Sequence, residues 1–182
     1  MMSISKTKKL VLASLFLAFG ILFPFVTAHA LGIAGTVLLP MHISVLISGM
    51  LLGPAWGSVL GVATPVISGL VTGMPVLFPM MPIMACELAA YGFSSGLIYK
   101  HTPVGRLRLG SLISLVLAMV TGRCAYALVF ELLLLANDSL RALTVWGAIV
   151  TGLPGIALQL FLIPPVLYIL EGITGIRRIN VL

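Results

Sequence analysis

Four ionisable side chains fall inside long apolar runs, and these are the residues that could do chemistry: His42, Glu87, Arg123 and Glu131. His42 sits in Leu39-Pro40-Met41-His42, just ahead of Ser44 and Ser48. Glu87 is the sole ionisable residue between Gly57 and Ile98. On a helix, Glu87 shares a face with Met84 and Tyr91, opposite Ala85, Ala89, Gly92 and Gly96, so it points away from the small-residue packing surface. Arg123 has Tyr126 and Phe130 on its own face, with Glu131 about 80° further round. Ionisable groups in hydrocarbon are costly, which makes each a functional-site candidate. The arginine fork of donors suits a carboxylate or phosphate, with Tyr126 and Phe130 as pocket walls. The plain alternative is a structural ion pair of Arg123 with Glu87 or Glu131. Both uses are compatible if Glu87 orients Arg123. His42 is read either as a helix-packing hydrogen-bonder or as a ligand contact.

The elements that position these residues follow from composition. The chain has 182 residues, 60% hydrophobic and 8% charged, with mean hydropathy +1.24. Soluble domains carry about 25% charged residues, so the reading is an all-α integral membrane protein. The apolar runs are continuous and lack the alternation of a membrane barrel. Backbone groups in lipid must be satisfied internally, which makes each run a helix. One transmembrane domain over 1–182 is predicted, a six-helix bundle with spans at 10–27, 34–52, 55–72, 82–99, 109–135 and 143–168. No length remains for a separate soluble domain.

The formal charge of +6 does not indicate nucleic acid. The basic residues cluster at span ends, with no basic stripe interleaved with aromatics. Cys86 and Cys124 are expected to be small buried residues, as free Cys usually is. Nothing has the spacing of a metal site, and no cofactor or catalytic residue is assigned.

Along the first span, Ser14 and Ala18 form a small-xxx-small pair, a surface for close helix approach. The following Ala28-His29-Ala30 resembles a signal-peptidase site. The apolar run before it exceeds the usual core of a signal peptide, about 7–15 residues, so this segment is read as a retained first helix. Gly57, Gly61, Pro65, Gly69 and Gly73 recur every four residues on the third span, for tight packing with a kink at Pro65. The apolar loop Gly73 to Pro82 is either a lid or a passive interfacial loop. Asn137-Asp138-Ser139 marks a turn or N-cap.

With the N-terminus inside, six spans place Lys6, Lys8, Lys9, Lys100, Arg106, Arg108, Arg177 and Arg178 on the cytoplasmic side and Arg141 alone outside. That asymmetry supports cytoplasmic N- and C-termini. His42 then lies in the outer third, Glu87 about 9 Å below the outer surface at 1.5 Å per residue, and Arg123 near the midplane.

In these residues the chain resembles the substrate-binding S components of bacterial energy-coupling factor (ECF) vitamin transporters. The similarity is carried by Leu39-Pro40-Met41-His42 through Leu51-Leu52-Gly53-Pro54, Leu70-Val71-Thr72-Gly73-Met74-Pro75, Glu87-Leu88-Ala89-Ala90-Tyr91-Gly92 and Val120-Thr121-Gly122-Arg123. The resemblance implies a multi-pass protein of the bacterial cell membrane. It implies a small-molecule vitamin bound on the extracellular side, and partnership with a transmembrane coupling (T) subunit and two ATPase subunits. It also implies that small residues on the first helix dock against the coupling module. Ser14-xxx-Ala18 is the nearest match to the family's Ala-xxx-Ala, with serine replacing the first alanine. The subgroup resembled takes up pantothenate, whose carboxylate a buried Arg123 would suit; a pyridoxine-like compound or another vitamin is the alternative. The substrate-binding set then comprises Arg123, Glu87, His42, Tyr126, Tyr91 and Phe130. None of the four lysines follows a glycine, so no phosphate-binding loop is present, and ATP hydrolysis is expected from partners.

Three other classes remain for comparison. An intramembrane enzyme needs a nucleophile with a base or clustered metal ligands; Ser44 and Ser48 lie on the helix of His42, and no such motif appears. A structural subunit without a ligand predicts Glu87 and Arg123 fully paired. A stand-alone carrier predicts transport without ATPases.

Overall fold

The computed structural model describes residues 5–31, 39–102, 109–136 and 145–175, with side chains left out at 28–31, 136 and 145–149. Arg106, Arg108, Arg141, Arg177, Arg178 and the 137–139 turn lie outside the described residues, as does the side chain of His29. Six helices are described and no strand among them: α1 Lys6–Leu31, α2 Pro40–Leu52, α3 Pro54–Thr72, α4 Met80–His101, α5 Gly110–Ala136 and α6 Val145–Thr174. Five are long and apolar enough to cross a membrane, as the continuous apolar runs require.

The exception is α2. A span was expected over 34–52, but the helix begins at Pro40 and has 13 residues. At 1.5 Å per residue this is about 20 Å, short of a hydrocarbon core of about 30 Å. The backbone explains the start. Leu39 is left-handed (φ 49°, ψ 45°), and proline disfavours helical geometry in the residue before it. Gly53, at φ 106°, ends the helix, and Pro54 starts α3 at once. All 13 residues of α2 are buried, and the helix packs against α1, α3, α4 and α6. It is a central post rather than a lipid-facing span. Residues 34–38 lie outside the described residues.

Lipid supplies little hydrophobic drive between helices, so close backbone contact must hold them. The glycine stripe does this in its first half. A methyl group on Gly57 would collide with the Gly92 carbonyl of α4, and one on Gly61 with the Leu88 carbonyl. Farther along, Gly69 faces the Pro75 carbonyl of the next loop and Gly73 caps α3 in a left-handed conformation. Side-chain bonds add to the contact: Ser95 Oγ donates to the Leu46 carbonyl at 3.2 Å and Thr121 Oγ1 to Ser94 Oγ at 2.8 Å. Interhelical bonds of this kind contribute about 0.6–2 kcal/mol each.

One end of the bundle gathers the start of α1 and the ends of α4 and α6. Lys8 Nζ donates to the Thr174 carbonyl, Tyr99 Oη donates to Glu171 Oε1 at 2.9 Å, and Gly53 lies beside the Lys100 stem. His42, Glu87 and Arg123 lie towards the opposite end. The α3–α4 loop folds back on α3, with Ser68 Oγ donating to the Met74 carbonyl at 2.6 Å. Its Val76, Leu77 and Phe78 side chains stay exposed.

Two further sequence expectations need correction. Cys86 and Cys124 are exposed on the outside of the bundle. In a membrane protein that outside is itself apolar, so a cysteine gains little by turning inward. The sixth helix does not end near Tyr168 but continues to Thr174 through Pro164 and Pro165. Freed backbone groups at such prolines are accommodated by local adjustment in membrane helices.

Candidate functional site

Four helices build the site. His42 comes from the first turn of α2, and Glu87 and Tyr91 from one face of α4. Arg123 and Tyr126 come from α5, and Gly152 from α6. Glu87 is 2% exposed and so is His42. The Arg123 side chain is 16% exposed.

The Glu87 carboxylate is the hub. Its Oε1 lies 3.0 Å from Arg123 Nη1 and its Oε2 lies 3.8 Å from His42 Nε2. Neither approach is an aligned hydrogen bond, since Oε1 and both His42 nitrogens have no hydrogen-bond partner among the described residues. Charge proximity, not N–H direction, holds the cluster. Tyr91 meets the His42 ring edge-on, centroids 5.3 Å apart at 65°. The Arg123 guanidinium carbon stands 5.9 Å from the Tyr126 ring centre, within cation–π range.

Two glycines make the room. A methyl group on Gly122 would stand 2.6 Å from the Tyr91 ring. One on Gly152 would stand 2.9 Å from Arg123 Nη2 and 3.2 Å from Leu39 Cδ1. Those approaches are tighter than van der Waals contact allows, so α6 reaches the guanidinium only because position 152 has no side chain. Gln159, two turns further along α6, donates Nε2 to the Leu39 carbonyl at 3.4 Å. This ties α6 to the left-handed residue that opens α2.

The guanidinium is therefore used on one edge only. Nη1 faces Glu87, while Nε and Nη2 are buried without a partner among the described residues. Buried donors left unmade cost about 1–3 kcal/mol each, so an acceptor brought to that edge is favoured. A carboxylate or phosphate has the geometry to accept from Nε and Nη2 together.

Of the residues expected from sequence, His42, Glu87, Tyr91, Arg123 and Tyr126 converge. Phe130 does not reach the polar cluster: it is 2% exposed, stacks on Tyr126 at 6.1 Å and packs with Ile83. It backs the Tyr126 ring. Glu131 is exposed, and the ion pair Arg123 makes among the described residues is with Glu87. Ser14 and Ala18 are exposed on α1, while Ala13, Phe16 and Gly20 face the bundle. Gly122, Gly152 and Gln159 were not expected in the site. The Gly122-Arg123 adjacency was the one available sign, since glycine in a helix interior costs about 1 kcal/mol against alanine. Among the described residues no group of three His, Cys, Asp or Glu could hold a metal ion.

Neither the curated proteins nor the solved structures yield a match to the chain. The family profile described as "ECF transporter, substrate-specific component" matches residues 8–167, which takes in α2 to α5 whole and most of α1 and α6. That family supplies transporter subunits rather than enzymes, and membership implies a small-molecule substrate and association with T and ATPase modules. With a polar cluster buried inside a bundle that has five long apolar helices and a family match over nearly its whole length, the chain belongs to the substrate-specific components of ECF transporters.

Proposed function

We propose that this chain is the vitamin-capturing subunit of an ECF-type importer of the bacterial cell membrane, and that its ligand is a small water-soluble vitamin carrying a carboxylate, with pantothenate the first candidate. The observation that supports this most is the half-used guanidinium. Arg123 is fixed by Glu87 through Nη1 and keeps Nε and Nη2 buried and unpaired among the described residues, beside Gly152. A bidentate structural pair would have engaged a second guanidinium nitrogen as well. Tyr91, Tyr126 and His42 then contact the rest of the ligand.

The positive-inside pattern supports an orientation with both termini cytoplasmic and the site in the outer half. The captured vitamin passes inward when the chain joins a coupling subunit and two ATPases. The exposed Ser14 and Ala18 of α1 are the surface offered to that module. A pyridoxine-like compound is the second reading, favoured by the cancelling charges of Glu87 and Arg123, which suit a neutral ligand as well.

The test is thermal unfolding of the detergent-purified chain against a panel of water-soluble vitamins. A ligand at about 100 times its dissociation constant adds about 2.7 kcal/mol. A shift with pantothenate supports the reading; a shift with pyridoxine alone replaces the ligand; no shift with any vitamin overturns vitamin capture.

A further inference from the structure

Charge balance around Glu87 limits how the site can take an anion, given the carboxylate reading of the ligand. Glu87 and Arg123 cancel at 3.0 Å. On the other side of the same carboxylate stands His42, 2% exposed, with neither ring nitrogen bonded among the described residues. Each helix packed against it offers little else. On α4 are Glu87 and Tyr91, with Lys100 and His101 at the far end; α3 has no ionisable residue. The described charges of α1 are Lys6, Lys8 and Lys9, also at the far end, where α6 holds Glu171 bonded to Tyr99. Beyond α4, α5 adds Arg123, Tyr126 and the exposed Glu131. A monoanion on the unpaired edge of Arg123 would therefore set two negative charges against one positive in a water-poor site. Charge unbalanced at low dielectric is strongly opposed.

We propose that the site takes up a small carboxylate together with one proton, and that His42 is the residue that carries it. The two oxygens of Glu87 serve different partners, Oε1 facing Arg123 and Oε2 facing His42. Protonated, His42 donates to Oε2 while Arg123 turns its Nε and Nη2 edge to the ligand. Two cations then face two anions and the cluster is neutral. The proton comes from the medium and leaves with the ligand on release. Capture is thus stronger on the more acidic side of a membrane, and a neutral analogue loses that advantage.

The experiment is calorimetric titration of the purified full chain with pantothenate, repeated in phosphate and in Tris, whose ionisation heats differ. Pantothenol, the neutral alcohol analogue, is the control. The expected result is uptake of close to one proton per pantothenate and none per pantothenol. Affinity for pantothenate then falls about tenfold per pH unit where His42 starts neutral. His42→Gln keeps a hydrogen-bonding side chain without a titratable proton, and its pantothenate affinity becomes weaker and flat with pH. Binding by the unaltered chain without proton uptake overturns the proposal and leaves the vitamin reading standing. Uptake that persists in His42→Gln and is lost in Glu87→Gln overturns His42 as the carrier. Absence of pantothenate binding at every pH overturns pantothenate as the ligand, and this proposal with it. The two-buffer comparison uses the unaltered chain, so it decides the proton link even if neither variant folds.

Discussion

Replacing Arg123 and Glu87 singly and together separates what the pair does for the fold from what it does for the ligand. Glu87 is 2% exposed, with Arg123 the one positive charge that contacts it among the described residues. Arg123→Met leaves that carboxylate buried opposite a histidine 3.8 Å away. Breaking a buried pair from one side costs about 3–5 kcal/mol. Glu87→Leu should cost less than Arg123→Met, because the 16% exposed arginine side chain has more access to solvent or headgroups. The double variant Glu87→Leu with Arg123→Met removes both charges at similar volume. Its stability should return to within about 1 kcal/mol of the unaltered chain or exceed it, since hydrophobic replacement of a buried pair is often neutral or stabilising by about 1–4 kcal/mol. Unfolding by SDS in mixed micelles, followed by the fluorescence of Trp56 and Trp146, reads all four proteins. Costs that simply add, with the double variant worse than either single one, would refute the claim that the two charges act as one buried pair.

Other expectations follow from the same contacts. Gly92→Leu drives a side chain into the Gly57 backbone, and overpacking costs about 1–3 kcal/mol or more; size-exclusion chromatography should show loss of the monodisperse species. Tyr99→Phe removes a bond to the Glu171 carboxylate, worth about 1.5–3 kcal/mol for a charged acceptor; the unfolding midpoint should fall while vitamin affinity holds. Ser14→Leu with Ala18→Leu alters an exposed face of α1, so stability and vitamin binding should stay unchanged. Co-purification with the T subunit and vitamin uptake in cells should be lost. Gly152→Val crowds the unpaired edge of Arg123; pantothenate affinity should drop about tenfold or more, as for a lost charge-assisted bond of about 1.5 kcal/mol.

Helix number and most boundaries were legible because lipid forces every apolar run into a helix. The length of α2 was not, because residues 34–39 are as apolar as those after Pro40. Hydrophobicity alone cannot separate a lipid-facing span from a post buried on all sides. Gly53-Pro54 marked one end; Leu39-Pro40, read as lying inside the span, sets the other through backbone rather than hydropathy. The sequence offered Arg123 two acidic partners, Glu87 and Glu131, and could not choose between them; the packing of α4 against α5 pairs it with Glu87. Phe130 shows the limit of helical-wheel reasoning. It shares the face of Arg123, yet two turns along the helix it meets Ile83 instead of the polar cluster. Gly152 was illegible for a different reason: its role depends on the register of α6 against α5, which no local pattern in either helix reports.

The central claim is that this ECF substrate-specific component holds a carboxylate vitamin on the unpaired edge of Arg123. Equilibrium dialysis with labelled pantothenate tests it most directly, comparing the unaltered chain with the Glu87→Leu, Arg123→Met double variant once that variant is shown to be folded. Two charge-assisted bonds lost at about 1.5–3 kcal/mol each predict saturable binding in the first and an affinity lower by about 100-fold or more in the second. Equal affinity in the two proteins would contradict the account and move the ligand away from Arg123.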